Sequence, residues 1–441
     1  MNNIKVCKFG GTSMATRESV DRVIDIINAD ENRKYVVVSA PGKRHGNDVK
    51  VTDLLYETVS ERMATGRCDS SFGKIRERFL ALREDFDVDF DVGAELDEIE
   101  KNILDGASAD YAASRGEYLS AKILAAKTGW KFVDAKDIVK FKNTGAFDAE
   151  YTNDTVRKVL SDVEGIAVIP GFYGATDDGE IFTFSRGGSD ITGAVVARGT
   201  NAALYENWTD VDGFLTADPR IVENPEKIRV LTYAELRELS YMGANVLHPE
   251  ATFPLKYTKT PINIKNTFNP DAEGTMIVAN YDARHESRLV TGIAGHKGFT
   301  SINISKSMMN SELGFGRRVL SVLEYEGVSF EHIPSGIDTL SVFVADGEIM
   351  GKMERIVEKL REAVNPDSIE IHSGMSLIAT VGLGMSEKPG TAARLFGALA
   401  AADVNIRMID QGSSEMNIIV GVESSDYERA INAVYEEFFK K

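Results

Sequence analysis

Lys8-Phe9-Gly10-Gly11-Thr12-Ser13 closes an apolar run, Ile4 to Phe9, and precedes an amphipathic segment from Arg17 to Asn28. Glycines without a Cβ let main-chain N–H groups close on phosphate oxygens, a helix N-terminus favours an anion, and Lys8 adds a point charge. The chemistry this suggests is a grip on a phosphorylated ligand, ATP foremost. A strand–glycine–helix junction that merely turns the chain fits the pair equally well. Lys8 precedes the glycines, so this is not a Walker A loop, and no G-x-G-x-x-G follows the strand.

A second cluster, Ser185-Arg186-Gly187-Gly188-Ser189-Asp190, opens a helical segment from Ile191 to Arg198. Ser189 and Asp190 are good helix caps, and Arg186 can fork onto a carboxylate or phosphate. Two anion grips imply two anionic groups. A third cluster, Asn207-Trp208-Thr209-Asp210-Val211-Asp212-Gly213, follows a strand and leads to Thr216-Ala217-Asp218-Pro219-Arg220. Loops after parallel strands are where α/β sheets bind ligands. On spacing alone the plainer reading, a pair of turns, is favoured here.

These clusters need elements to hold them. Predicted strands are Ile4–Phe9, Tyr35–Ser39, Lys131–Val133, Ile166–Pro170, Ala202–Asn207 and Pro261–Lys265, with helix-period segments such as Gly116–Lys127 and Tyr233–Leu239 between them. That alternation predicts an α/β architecture, a mostly parallel sheet sandwiched by helices. Ser71–Asp105 reads as a helical excursion with a solvated acidic face. Beyond about residue 290 an offset of 76 residues carries Gly314 onto Gly390, Leu323 onto Leu399, Val328 onto Val404, Ile333 onto Ile409, Gly336 onto Gly412 and Val344 onto Val420. Each copy is expected to run strand, glycine turn, helix (Gly316–Glu326; Thr391–Ala402), two strands (Ser329–Ile333 and Leu340–Val344; Asn405–Ile409 and Asn417–Val420), then a helix. That is a ferredoxin-like βαββαβ unit present twice.

Composition narrows the partners. With 441 residues, two or three domains are expected, and a net charge of −18 disfavours nucleic acid and anionic membrane. There is no apolar run long enough to span a membrane and no signal-peptide pattern, which predicts a cytoplasmic protein. Two cysteines, Cys7 and Cys68, and six histidines without ligand spacing predict neither a disulfide framework nor a histidine-bound metal.

Taken together, Lys8–Ser13, Val37-Val38-Ser39-Ala40, Arg115-Gly116-Glu117, Arg186–Asp190, Trp208–Val211, Thr216–Arg220 and Met242-Gly243-Ala244-Asn245-Val246-Leu247-His248-Pro249 resemble, in that order, the aspartokinases of the amino acid kinase fold. The doubled module resembles their paired ACT domains. The resemblance implies an amino acid kinase domain over 1–290, a first ACT domain over 291–376 and a second over 377–441, with 291–305 available to the second. It implies transfer of the ATP γ-phosphoryl group to the β-carboxylate of L-aspartate, with Mg2+ held mainly by phosphates and no protein metal site. By that analogy Lys8 and Asp190 are catalytic, Asp190 orienting rather than acting as a base. Ser39, Thr52, Glu117, Phe172, Arg186, Gly187 and Ser189 would bind aspartate, with Arg186 on a carboxylate and Glu117 on the ammonium. Gly10, Gly11, Thr12, Ser13, Thr209, Asp210, Leu215, Arg220, Asn245 and Val246 would meet the nucleotide alongside Lys8.

A feedback amino acid, lysine foremost and threonine the alternative, would sit among Met309, Ser311, Gly314, Phe315, Phe330, Glu331, Ser335, Gly336 and Asp338. Glu331 would face its ammonium, and amides near Ser335–Gly336 its carboxylate. A homodimer or homotetramer paired through the ACT domains is implied, with no room for a fused homoserine dehydrogenase. The chain departs from the pattern at Asn245, where many relatives carry lysine, at Leu215 in place of tyrosine, at Ser185 in place of glycine, and in a longer Pro41–Lys50 loop that loosens the match at Thr52. The rival readings are a kinase of glutamate or N-acetylglutamate and a non-catalytic amino acid sensor.

Overall fold

The computed structural model describes residues 3–185, 187–244, 246–281, 288–386 and 388–440. Contacts divide the chain into two compact units. The first comprises Met1–Phe214, Arg229–Leu236 and Asn245–Asp282; the second comprises Leu215–Ile228, Arg237–Ala244 and Ala283–Lys441.

The first unit is built on strands β1 (Lys5–Phe9), β2 (Arg33–Val38), β3 (Lys131–Phe132), β4 (Ala167–Pro170), β7 (Leu204–Thr209), β8 (Val230–Thr232), β9 (Ile262–Asn266) and β10 (Thr275–Val278), with a separate hairpin of β5 (Tyr173–Ala175) and β6 (Ile181–Thr183). The strand order is β3-β4-β2-β1-β7-β9-β10-β8, and every pairing except β9–β10 is parallel. The predicted parallel sheet is present, and each of the six predicted strands lies within two residues of an observed one. Around it run α1 (Arg17–Asn28), α2 (Val51–Thr65), α3 (Asp69–Phe86), α4 (Val92–Leu104), α5 (Ala109–Thr128), α6 (Ala135–Ile138), α7 (Ala149–Ser161) and α8 (Gly188–Gly199). Side chains alternate along a strand. Cys7 and Phe9 of β1 therefore enter a core shared with Val36, Val38, Trp208 and the excursion helices. Lys8 and its neighbour across the ladder, Asn207, face the other way, where α8 packs.

The second unit carries a five-stranded antiparallel sheet, β12-β11-β13-β15-β14, of β11 (Gly292–Ser305), β12 (Thr339–Ala345), β13 (Ser368–Val381), β14 (Met408–Asp410) and β15 (Asn417–Glu423). The 76-residue offset holds in three dimensions. It maps β11 onto β13 end to end, and maps α9 (Phe315–Tyr325) onto α10 (Thr391–Ala401). Gly314 and Gly390 cap those helices at φ 76° and 89°. The two copies share one sheet, because β11 and β13 pair along their whole lengths. Residues 292–297 thereby lie beside Ser376–Val381, which also pairs with β15.

The predicted strand Ser329–Ile333 does not form; isolated bridges His332–Phe343 and Ser335–Leu340 stand in its place. Pro334 cannot donate to a ladder, which breaks this edge. Its counterpart in the second copy is short, running from Met408 to Asp410.

Candidate active site

The centre of the first unit is a buried ion pair. Lys8 Nζ lies 2.6 Å from Asp190 Oδ1, and the lysine is 8% exposed. Asp190 stands in the first turn of α8, where the helix dipole favours negative charge. Asn207 Nδ2 donates to the same Asp190 Oδ1 at 2.8 Å, and Tyr205 Oη donates to the Asp190 carbonyl at 3.1 Å. Parallel pairing of β1 with β7 puts Asn207 beside Lys8, so the sheet register itself assembles lysine, asparagine and aspartate.

Beside this pair lies an acid with nothing to neutralise it fully. Glu117 on α5 is 5% exposed, and its Oε2 has no hydrogen-bond partner. Burial pushes its carboxyl up to about 8, against the opposing pull of the Ala40 amide, Arg115 and Lys8. A buried, partly unpaired carboxylate is a receptor waiting for a cation.

The glycine pair sits where β1 turns into a short 3-10 segment. Gly10 N donates to Trp208 O at 3.0 Å, and Gly42 N donates to Gly11 O at 2.7 Å. The exposed Thr12 hydroxyl donates to Asp210 Oδ2 at 3.2 Å, and Thr209 Oγ1 donates to Asp210 Oδ1 at 3.3 Å. Ser13 serves packing instead: it is fully buried, with its hydroxyl 2.8 Å from Thr267 Oγ1.

On the amino acid side, Ser39 N donates to Phe9 O at 3.1 Å, and Thr52 is the second residue of α2; both are half-buried. Phe172 holds a φ of 79°, rare for a side chain of its size, with its N–H on Thr192 Oγ1 at 2.9 Å. Ser189 is buried against Gly171. Gly187, at φ 75°, packs so closely on His248 that a Cβ there would lie 2.4 Å from the imidazole-bearing carbon. The expected contacts Arg186 and Asn245 lie outside the described residues. Val246 is half-buried.

Leu215 and Arg220 belong to the second unit. Leu215 bridges to Lys227, and the exposed Arg220 is 2.6 Å from Asp218. In the same unit the expected effector residues divide. Met309 and Phe315 are packed into the first copy's core rather than presented to solvent. Ser311 Oγ donates to Met308 O, Asp338 Oδ1 accepts from Met308 N, and Gly314 caps α9. The Gly336 amide already donates to Thr339 O at 2.7 Å, which corrects its expected role as a carboxylate donor; Ser335 bridges to Leu340. Phe330 is exposed beside a hollow of about 440 Å³ lined also by Leu320, Leu323 and Val328, and Glu331 accepts from the Tyr241 hydroxyl.

Sequence reasoning missed the roles of Asn207, Tyr205, Ala40 and His248. Asn207 left a faint signal, as one of the polar residues in the strand that leads into the third cluster. The others are visible only in three dimensions.

The amino acid kinase family signature matches residues 3–266, and an ACT domain signature matches residues 378–438. Aspartokinase 3 of Bacillus subtilis is 39% identical over 99% of both chains. The crystal structure of Clostridium acetobutylicum aspartate kinase superposes with a TM-score of 0.93 at 50% identity, covering 99% of this chain and 100% of that one. Escherichia coli aspartokinase III, solved with aspartate and ADP, gives 0.76 at 25% identity and the same coverage. With the site geometry and full-length similarity in agreement, the chain belongs to the aspartokinases of the amino acid kinase family.

Proposed function

We propose that the Lys8–Asp190 pair and Glu117 are the two poles of an aspartate kinase site, one for the phosphoryl group in flight and one for the amino acid that receives it. The enzyme transfers the γ-phosphoryl group of ATP to the β-carboxylate of L-aspartate, giving 4-phospho-L-aspartate. A carboxylate with a pKa near ~4 is already ionised at neutral pH, so the nucleophile needs no general base. The barrier is anion meeting anion, and the remedy is fixed positive charge and amide donors.

In this reading Lys8 stabilises charge on the transferring group. Asp190, held by Asn207, orients Lys8 rather than taking a proton. The Gly11 amide and those of Gly187–Gly188 support phosphates, Gly10 letting the chain approach them, with Thr12, Thr209 and Asp210 at the nucleotide. Glu117 receives the aspartate ammonium, Arg186 a carboxylate, and Ser39, Thr52, Phe172 and Ser189 shape the pocket. Magnesium would arrive with ATP and would supply charge neutralisation for its phosphates. Among the described residues no three His, Cys, Asp or Glu side chains converge to hold a metal alone. Asp190 and Asp210, as hard oxygen donors, would hold it where the phosphates leave coordination open. The E. coli enzyme's complex with aspartate and ADP supports these substrates for a relative.

The same reading takes residues 1–290 as the kinase domain, with ACT domains over 291–376 and 377–441. It makes the protein a homodimer or homotetramer through those domains, and places it in the cytoplasm. Among the described residues no helix is long and apolar enough to cross a membrane. Lysine is the proposed feedback effector, with its ammonium on Glu331; the Clostridium enzyme is described as allosteric.

The buried, half-unpaired Glu117 beside Lys8 carries the choice of substrate, since a free ammonium rewards a facing carboxylate and an acylated amine does not. An ADP-release assay with MgATP and aspartate, glutamate or N-acetylglutamate tests it. Turnover is expected with aspartate alone. Equal or faster turnover with either rival, or none with any, overturns it.

A further inference from the structure

Helix α3 lies outside the proposed site, yet its apolar stripe is interrupted by a cation. Phe72, Ile75, Phe79, Leu82 and Phe86 are buried along it, and so is Arg78, only 3% exposed. Its guanidinium reaches both ends of the loop that joins β2 to α2. Nη2 donates to Gly42 O, and Nη1 donates to Val49 O at 2.9 Å while lying 3.3 Å from Asp48 Oδ2. Asp48 in turn accepts from Arg44 Nε at 2.9 Å and from the Arg44 amide, drawing the loop onto itself.

That loop touches both poles of the site. At one end Gly42 meets Gly11 so closely that a Cβ on Gly42 would lie 2.6 Å from the Gly11 carbonyl carbon, so neither strand of this contact can drift without breaking the 2.7 Å hydrogen bond. Two residues earlier, the Ala40 amide donates to Glu117. Between the anchors Lys43, Arg44, His45 and Asn47 are exposed, with little burial of their own to hold them.

We propose that Arg78 is a positioning residue for phosphoryl transfer: it clamps both ends of the 41–50 loop and so sets the glycine pair and Glu117 against each other. The assignment rests on the roles given above to Gly11 and Glu117. Arginine suits the task because its planar fork serves two carbonyls at once, whereas a lysine ammonium is a single point on a flexible stem. The excursion thus braces the site from behind.

The test uses the full chain and two variants, Arg78→Lys and Asp48→Asn; the second leaves the α3 core intact. Native-state trypsin digestion without substrate, mapped by mass spectrometry, reads cuts after Lys43, Arg44 and Lys50. Steady-state kinetics reads KM for aspartate and ATP separately from kcat, and thermal unfolding reads global stability. Cleavage within the loop is expected to speed up by about tenfold in Arg78→Lys, with hydrogen bonds from a charged group lost, and by less in Asp48→Asn. Both KM values should rise more than kcat falls. Wild-type cleavage and kinetics in both variants overturn the clamp. Faster cleavage spread evenly along the chain with a lowered unfolding midpoint also overturns it, as does a freed loop with unchanged KM values. Absence of aspartate turnover in the parent enzyme refutes the functional reading instead, and loop cleavage still decides the clamp.

Discussion

The two candidate sites, one in each compact unit, treat charge in opposite ways. In the first, Lys8 and Glu117 are buried and Asp190 is half-buried, held by one another, by Asn207 and by main-chain amides. In the second, Phe330, Ser335 and Asp338 are exposed, and Glu331 is held by one tyrosine hydroxyl. A site for chemistry must be pre-organised and dry, so that its donors need not reorganise as charge moves. A sensing site need only differ in affinity between two states. Substitutions in the first unit should therefore cost rate, and those in the second should change regulation and leave rate alone.

The sharpest break is Lys8→Ala. On the proposed reading it removes the cation facing the transferring group and leaves the half-buried Asp190 carboxylate with only Asn207. Loss of one such pre-organised donor lowers kcat by about a thousandfold or slightly less. The ADP-release assay measures this, with circular dichroism to confirm the fold. A variant within tenfold of the parent would remove Lys8 from the chemistry.

Glu117 tests the same unit through pH. Its free carboxyl, raised to about 8 by burial, is largely protonated at neutral pH, whereas an incoming ammonium requires the carboxylate. At limiting aspartate, kcat/KM should climb with pH and level off above about 8, while kcat at saturation stays flatter. Glu117→Gln should raise KM for aspartate by at least about tenfold and abolish the climb. The linkage to folding has a definite sign. The native state holds this proton more tightly than the unfolded chain, so the group's contribution to stability is full below its ordinary value of 4.5 and is lost as pH rises through about 8.

The second unit sharpens the contrast internally, because its two copies share a scaffold and differ at the ligand positions. The offset that lays β11 on β13 places Glu331 opposite Arg407, which is paired with Glu423 at 3.6 Å. An ammonium effector is thus expected to use the first copy only. Glu331→Gln should raise the lysine concentration for half-inhibition by about tenfold and leave uninhibited kcat unchanged. Arg407→Gln should change neither. Inhibition lost in Arg407→Gln but retained in Glu331→Gln would move the site to the second copy.

Much of this was legible in the sequence, for identifiable reasons. Alternation and glycine placement read out β1, β2, α1 and the repeat because those signals are local. Lys8 and Asp190 could be named from their motifs, but their pairing depends on β1 lying next to β7 beneath α8, and no local pattern encodes that register. The edge strand expected at Ser329–Ile333 failed because alternation was read without weighing Pro334. Arg78 was passed over because a cation in a charged helix looks like solvated surface. Only the folded loop, with two carbonyls turned toward it, explains its burial.

The smallest expected effect lies at Tyr241. Its hydroxyl is held protonated by partial desolvation and the neighbouring Glu331, which raise it to about 12, so it donates to that carboxylate across any working pH. A carboxylate has room for several donors, so the tyrosine can orient Glu331 without displacing an effector ammonium. Tyr241→Phe keeps the ring and removes one hydrogen bond, a loss of ~0.5–1.5 kcal/mol. The half-inhibiting lysine concentration should then rise by about threefold, with kcat unmoved. If inhibition instead strengthens, the hydroxyl competes with the effector for Glu331, and the half-buried carboxylate is as firmly engaged at rest as those of the first unit.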